Sequence, residues 1–306
     1  MRTYFDCIPC FLRQTLDAVR ALGLDLPLQE GVLRKVLAAC SALDLGQSPP
    51  VMGQRIHRVI REAAGSADPY AEMKERFNHL ALGLYAECRG LVERADDPLE
   101  MALRLAIAGN VIDAAPKSGL NEEDVRRSML QALTDPLDGD VKEFSRAVAG
   151  SRDLLYLADN AGEIVFDRLL IERIGADKVT VAVKGSPVIN DALLADAAVA
   201  GLTSIVEVID NGSDAPGTIL EDCCEPFRKR FARADLVLAK GQANYETLSE
   251  TDRDVFFLLK AKCPLIARDV GCSLGSMVVR RSGRAAAAPA PRDRGRTRRL
   301  EEVQRR

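Results

Sequence analysis

The sequence predicts an α/β protein: a helical N-terminal part followed by a mainly parallel, doubly wound sheet with helices on its faces. Three observations carry that expectation. Residues 8–148 repeat apolar positions at helical spacing. After residue 150 short β-rich runs alternate with helical segments, the pattern of βαβ units. The first of those runs, Leu154-Leu155-Tyr156-Leu157-Ala158, passes directly into Asp159-Asn160-Ala161-Gly162-Glu163. A buried parallel strand that ends in a polar turn before a helix reads this way. The expected division is a helical domain over 1–150, an α/β/α domain over 151–280 and a disordered Arg/Ala/Pro-rich tail over 281–306.

Composition narrows the class. A chain of 306 residues with 47% hydrophobic residues can fill about two domain cores, at roughly 150 residues each. No apolar run approaches the ~20 residues of a membrane span. The start, Met1-Arg2-Thr3-Tyr4-Phe5-Asp6, lacks the apolar centre of a signal peptide. A cytoplasmic protein is therefore expected, with its eight cysteines mostly reduced. The net charge of −3 gives no general nucleic-acid signal. Nine arginines lie in 281–306. Their composition cannot bury a core, and nucleic-acid contact is expected, if anywhere, only there. The oligomeric state is left open.

Cys7-Ile8-Pro9-Cys10 comes first in the chain. A C-x-x-C pair serves redox chemistry, half of a zinc site, or packing. No second C-x-x-C follows, Cys223-Cys224 cannot copy its geometry, and the histidines are only His57 and His79. Phe11, Leu12, Thr15, Leu16, Val19 and Leu22 form a helical stripe that ends at Gly23. Val32, Leu33, Val36, Leu37 and Cys40 form another, and Pro49-Pro50 breaks the chain. Next come Ile56, Val59 and Ile60 with His57 on the helix surface, then Met73, Phe77, Leu80, Leu84 and Leu91 beside His79. Met101, Leu105, Ile107 and Ala108 lead into Gly109-Asn110-Val111-Ile112-Asp113, where Asn110 and Asp113 interrupt an apolar helix and need polar partners. Pro136–Gly150 reads as a connecting helix.

In the second half strands are expected at 153–158, 178–183, 205–209, 235–239 and 264–268. Helices are expected near 163–174, 190–200, 216–232 and 244–261. In open α/β sheets the ligand crevice lies outside the carboxyl ends of the strands. The first strand ends in Asp159-Asn160, hard oxygen donors suited to Mg²⁺ or Mn²⁺ and equally suited to an Asx turn capping the next helix. The second ends in Lys184-Gly185-Ser186-Pro187 and Asn190-Asp191, the third in Asp210-Asn211-Gly212-Ser213-Asp214, the fourth in Lys240-Gly241-Gln242-Ala243-Asn244. A cation held by carboxylates beside two lysines is a receptor for a phosphate group.

These motifs, in this order, resemble the DUF89 group, the damage-control phosphatase ARMT1-like metal-binding family. The resemblance rests on Cys7-x-x-Cys10 with Phe11-Leu12-Arg13-Gln14-Thr15, which is similar to the microbial subfamily, and on Gly109–Asp113, Asp159–Glu163, Lys184–Pro187 with Asn190-Asp191, and Lys240–Glu246. It runs from residue 1 to about 279. It implies a helical N-terminal part on a Rossmann-like α/β/α domain and a metal-dependent phosphatase acting on small phosphorylated metabolites, sugar phosphates included. It also implies a divalent metal (Mg, Mn, Co or Ni) on Asp159, Asn160 and Asp191, and a phosphate-binding lysine at Lys240. Lys184 is expected to assist Lys240. Glu163 and Asn244 are expected at substrate hydroxyls or their waters, and Asn110 and Asp113 become pocket residues. The nucleophile is open between a water and a carboxylate, the second passing through a phospho-enzyme. Two rival readings are a non-catalytic phosphometabolite-binding protein and a Rossmann-type methyltransferase or dinucleotide enzyme. The latter needs a glycine-rich first turn, and Ala158-Asp159-Asn160-Ala161-Gly162 has one glycine.

Overall fold

The computed structural model of the chain describes residues 1–110 and 122–282. Helices α1 (Cys7–Ala21), α2 (Leu26–Ser41) and α3 (Pro49–Ala64) bury Phe11, Val19, Val32, Val36, Met52, Ile56 and Ile60 in a cluster of their own. Pro49 and Pro50 open α3 rather than merely ending what precedes it, because a first-turn residue needs no N–H partner. Gly65, at φ 61°, closes it in the left-handed region. His57 departs from its expected place on the helix surface. It is buried, 3.1 Å from the Tyr70 hydroxyl, and burial with Arg61 nearby lowers its pKa to about 3.

Helices α4 (Ala71–Arg94), α5 (Pro98–Ala108), α6 (Glu122–Ala132) and α7 (Val141–Gly150) complete the helical stretch, with strand β1 (Leu137–Gly139) between the last two. Beyond them come β2 (Leu154–Leu157), α8 (Glu163–Ile174), β3 (Val179–Val183), α9 (Leu194–Val199), β4 (Glu207–Asp210) and α10 (Glu225–Arg233). β5 (Leu236–Lys240), α11 (Gly241–Leu248), β6 (Val255–Lys260), α12 (Pro264–Val270) and β7 (Met277–Arg281) follow. Among the described residues the strands form one seven-stranded sheet in the order β1-β7-β6-β5-β2-β3-β4, parallel except where β7 lies antiparallel to β6.

Strand alternation fills both faces. Leu154 and Tyr156 of β2, Leu236 and Leu238 of β5, and Phe256 and Leu258 of β6 point into one core, shared with α4, α5 and α8. Leu155, Leu157, Val237, Ala239, Phe257 and Leu259 point into the other, with Phe227 and Phe231 of α10 and Ile266 of α12. Both faces being covered explains why these strands read as continuous apolar runs.

Three expected elements are corrected. The helix read over 244–261 ends at Leu248, and its second half is strand β6. The strand read over 264–268 is helix α12, with Pro264 in its first turn. Short apolar runs carry no periodicity that separates a buried strand from a buried helix turn. The segment read as helix 216–232 is helical only from Glu225, and residues 211–224 form a long loop over the sheet edge. The expected tail boundary at 281 also shifts. Arg281 ends β7 and pairs with Asp254 at 2.6 Å and Glu143 at 2.8 Å, and Ser282 Oγ donates to Arg253 O. The rest of that segment, and Asp113, lie outside the described residues. No helix among the described residues is long and apolar enough to cross a membrane.

Candidate active site

Strand order reverses at β2, which has β3 on one side and β5 on the other. The chain builds outward through β3 and β4, then returns to lay β5 on the opposite flank. Such a switch point leaves a crevice at the carboxyl ends of the strands, and β2 and β5 end there in Asp159-Asn160 and Lys240.

The loops after β2 and β3 are zipped together. Ala161 N donates to Asn190 O and Ala192 N to Asp159 O, each at 2.8 Å, so that Asn160 and Asp191 face each other in an antiparallel bridge. This is the non-hydrogen-bonded kind of pair, in which opposed side chains stand closest. Ile189, at φ 44°, lies two residues before Asp191. That conformation is strained for a β-branched residue, and strain of this kind gathers at functional loops.

Asp159 rests against the start of α11. Gly241 has φ 79°, and a Cβ there would fall 1.9 Å from Asp159 Oδ2, so only glycine lets the carboxylate lie against this backbone. Two amides embrace the same carboxylate. Asn110 Nδ2 donates to Asp159 Oδ2 at 2.9 Å and Asn160 Nδ2 at 2.8 Å, while both donate to Glu163 Oε2, at 2.7 and 2.9 Å. The N–H groups of Asn160 are thus directed at carboxylates, and what the side chain offers elsewhere is its amide oxygen.

Behind this layer Lys240, fully buried, donates to Glu163 Oε1 at 2.7 Å, Asp167 Oδ1 at 2.5 Å and Ala106 O at 2.8 Å. Tyr156 Oη donates to Asp167 Oδ1 at 2.8 Å. Lys184 is the lysine at the bridge: its Nζ lies 3.4 Å from Asp191 Oδ2 and donates to Gly217 O. Asp159, Glu163, Asp167 and Asp191 are therefore four buried carboxylates set against two buried ammonium groups. Lys262, an exposed residue, donates to Asn110 O at 2.8 Å. Burial and the neighbouring Glu163 push the Asp167 pKa up to about 6 against the pull of Lys240. Burial alone would lower the Lys240 pKa, and the two carboxylates overcome it.

The structure brings together Asn110, Asp159, Asn160, Glu163, Lys184, Asp191 and Lys240, seven positions singled out in the sequence. Lys240 and Glu163 among them, and Asn244 beside them, make protein contacts that differ from the expected ones. Lys240, expected at phosphate, has its three ammonium donors on protein acceptors, so reaching a phosphate requires exchanging one of those bonds. Glu163, expected at substrate, is fully buried and holds Asn110, Asn160 and Lys240 instead. Asn244, also expected at substrate, is fully buried; its Nδ2 donates to Lys240 O at 2.8 Å and its Oδ1 accepts from Thr218 Oγ1 at 2.7 Å. Asp167 and Tyr156 were not singled out. The available signal is an acid four residues after Glu163, on the same helix face and flanked by Ile164, Val165, Phe166, Leu169 and Leu170.

Cys7 and Cys10 sit in the first turn of α1, Cys7 packed against the α1–α3 cluster. Burial pushes the Cys7 thiol above its usual pKa, the opposite of what a reactive thiolate needs.

The donor set fits a hard cation. Asp159, the Asn160 amide oxygen and Asp191 are oxygen donors on the two bridged loops, and the excess of buried carboxylates favours positive charge. Among the described residues no group of three or more Asp, Glu, His or Cys side chains is arranged to hold a metal ion.

Comparison with known proteins places the chain in a family. Residues 3–278 match the damage-control phosphatase ARMT1-like domain. The chain is 38% identical over 293 residues to the uncharacterized protein MJ0202 of Methanocaldococcus jannaschii, covering 90% of this chain and 93% of that one. It is 38% identical over 234 residues to a damage-control phosphatase of Archaeoglobus fulgidus, covering 75% and 81% respectively. It is 33% identical over 291 residues to the damage-control phosphatase PH1575 of Pyrococcus horikoshii, covering 92% and 99%. The crystal structure of that DUF89 family protein superimposes with a TM-score of 0.83 at 32% identity, over 92% of this chain and all of the other. With a match of this length on a switch-point crevice of this composition, the chain belongs to the damage-control phosphatase ARMT1-like, or DUF89, family.

Proposed function

We propose that the protein is a divalent-metal-dependent phosphatase that hydrolyses phosphate esters of small metabolites, sugar phosphates and related damaged phosphometabolites among them. The observation that carries this reading is the Asn160–Asp191 bridge, with Asp159 beside it and the Lys184 ammonium 3.4 Å from Asp191. Asp159, Asn160 and Asp191 would hold the metal, which is Mg, Mn, Co or Ni on the chemistry of an all-oxygen set. When bound, the metal supplies Lewis-acid polarisation of a phosphoryl oxygen.

The other roles belong to the chain. Lys184 offers positive charge to the phosphoryl group from the edge of the bridge. Glu163 orients the Asn110 and Asn160 amides, and Lys240 donates to both Glu163 and Asp167, offsetting their charge. Tyr156 fixes Asp167 from the far side. The near-complete burial of Asp159, Asp191 and Lys184 keeps bulk water from weakening their charges. The relatives from Archaeoglobus fulgidus and Pyrococcus horikoshii that bear the name damage-control phosphatase support the reaction class.

The test is an activity screen of EDTA-stripped protein against a panel of sugar phosphates and other small phosphate esters, with Mg²⁺, Mn²⁺, Co²⁺ and Ni²⁺ added singly. Metal-restored phosphate release is expected. Full activity without metal would overturn the metal assignment, and tight binding of a phosphate ester with no turnover would make the protein a binder.

A further inference from the structure

Helix α3 belongs to the separate N-terminal cluster, yet one of its faces reaches the crevice. Gln54, Arg58 and Arg61 follow one another at helical spacing, and all three converge on Asp214, in the loop between β4 and α10. Gln54 Nε2 donates to Asp214 Oδ1 at 2.6 Å. Arg58 grips both oxygens, at 2.6 and 2.9 Å, and Arg61 donates to Oδ2. The contact is close along the backbone too: a Cβ on Gly53 of α3 would fall 3.2 Å from Pro216 Cγ. Burial would raise the Asp214 pKa, but the two guanidinium groups and the amide hold it well below the usual carboxylate range.

The same loop carries the partners of Lys184 and its neighbours. Gly217 O accepts from Lys184 Nζ. Ser213 O accepts from the N–H groups of Gly185 at 3.0 Å and Ser186 at 3.2 Å, and Asn211 Oδ1 accepts from Gly185 N at 3.1 Å. Gly185 and Gly212 touch backbone to backbone, so a Cβ on Gly185 would fall 2.4 Å from Gly212 Cα. Arg61 spans both loops: one of its terminal nitrogens donates to Asp214, the other to Pro187 O. Displacing residues 211–217 therefore moves the acceptor that aims the Lys184 ammonium.

We propose that Asp214 is a positioning residue for phosphate recognition: clamped by Gln54, Arg58 and Arg61 of α3, it fixes loop 211–217 and so sets Lys184 beside Asp191. The proposal deepens the phosphatase reading and rests on it, with Lys184 as the phosphate contact. Neither Asp214 nor the α3 arginines touches the reacting atoms; they act through Lys184.

The experiment measures inorganic phosphate, both as a ligand by calorimetry and as a competitive inhibitor, on full-length protein with Mn²⁺ present. Asp214→Ala is expected to weaken phosphate binding and raise KM by about tenfold, with kcat changed much less. Asp214→Asn, which keeps one of the two acceptor oxygens but turns a donor toward the α3 donors on the other side, should recover only part of that loss. In a Lys184→Met background Asp214→Ala should add nothing further, since the effect runs through the missing ammonium. Losses that multiply between the two sites, or wild-type phosphate binding in folded Asp214→Ala, would overturn the proposal. Should Asp214→Ala not fold, Arg61→Lys takes its place: it keeps the charge but cannot span Asp214 and Pro187 together. Weaker phosphate binding by about threefold or more supports the proposal, and an unchanged Kd overturns it. Wild-type protein that neither binds phosphate nor cleaves an ester removes the phosphatase reading and the proposal with it. Wild-type activity with unaffected Asp214 and Arg61 variants removes the proposal alone.

Discussion

Replacing Asp159 or Asp191 by alanine asks whether the two carboxylates hold one ion. The surroundings set the size of the answer. Asp159→Ala takes from Asn110 and Asn160 one of the two carboxylates to which each donates, leaving Glu163. Loss of a buried hydrogen-bond partner costs about 1–3 kcal/mol. Against that, one of four crowded carboxylates is gone, which relieves like-charge repulsion. The metal-free variant should therefore lose no more than about 2 kcal/mol, or roughly 3 °C in Tm for a chain of this size. Asp191→Ala removes an oxygen 3.4 Å from Lys184 Nζ, which keeps Gly217 O, so its stability change should be of similar size. Function should fall much further. Each variant is expected to lose at least ~100-fold in kcat/KM, near 2.7 kcal/mol. The double variant should be little worse than either single one, because the two act as a unit. The assays are Mn²⁺ titration calorimetry, steady-state phosphate release and thermal melting of the metal-free proteins. Wild-type Mn²⁺ affinity in either single variant, or multiplicative kinetic losses in the double, would refute a shared ion.

Four further outcomes are expected. Gly241→Ala drives a methyl group into Asp159 Oδ2 and forces alanine to φ 79°, so Mn²⁺ affinity and turnover should both drop at least ~10-fold; wild-type Mn²⁺ affinity would show that the loop yields. Asp167 has a folded pKa of about 6, above its usual value of 3.8. Its contribution to stability is therefore complete below pH 3.8 and lost as pH rises through 6, and the difference in Tm between wild type and Asp167→Asn, followed over pH 4–7 without metal, should shift in that direction. Cys7→Ser with Cys10→Ser should keep Mn²⁺ binding and turnover, because both thiols lie in the first turn of α1, whose buried residues pack in a cluster of their own; collapse of Mn²⁺ binding in the folded variant would place the thiols in the site. Deletion of 283–306, which spares Arg281 and Ser282, should leave Tm and turnover nearly unchanged, whereas a large fall in Tm would show that the segment packs on the body.

The sequence was most legible where local chemistry and global fold agree. β2, β3 and β5 read correctly because each is an uninterrupted apolar run closed by a polar turn, and helix α8 was found at its observed ends, Glu163 and Ile174. β6 was read as helix because Val255–Lys260 follows a true helix after a short turn and carries no alternation: both of its faces are buried. The bridge residues were visible from their spacing after adjacent strands. The partners of Lys240 were not, since Ala106 O belongs to α5 and is supplied by tertiary packing alone. Asp214 was noticed only as one acid in a strand-end turn. Its importance comes from Gln54, Arg58 and Arg61, more than 150 residues away.

With the candidate metal ligands at the end of β2, the site would be tied to a strand expected to open only rarely. β2 is hydrogen-bonded on both sides, to β3 and β5, and every one of its residues is buried. Amides in such a strand exchange with solvent only when the whole domain unfolds, so Leu155 and Leu157 should show protection close to the global stability. Peripheral damage, in α1 or α2 for instance, can lower the folded fraction without loosening the position of Asp159. Loss of activity in core variants should then follow the fraction of molecules folded, with the surviving molecules turning over at the wild-type rate.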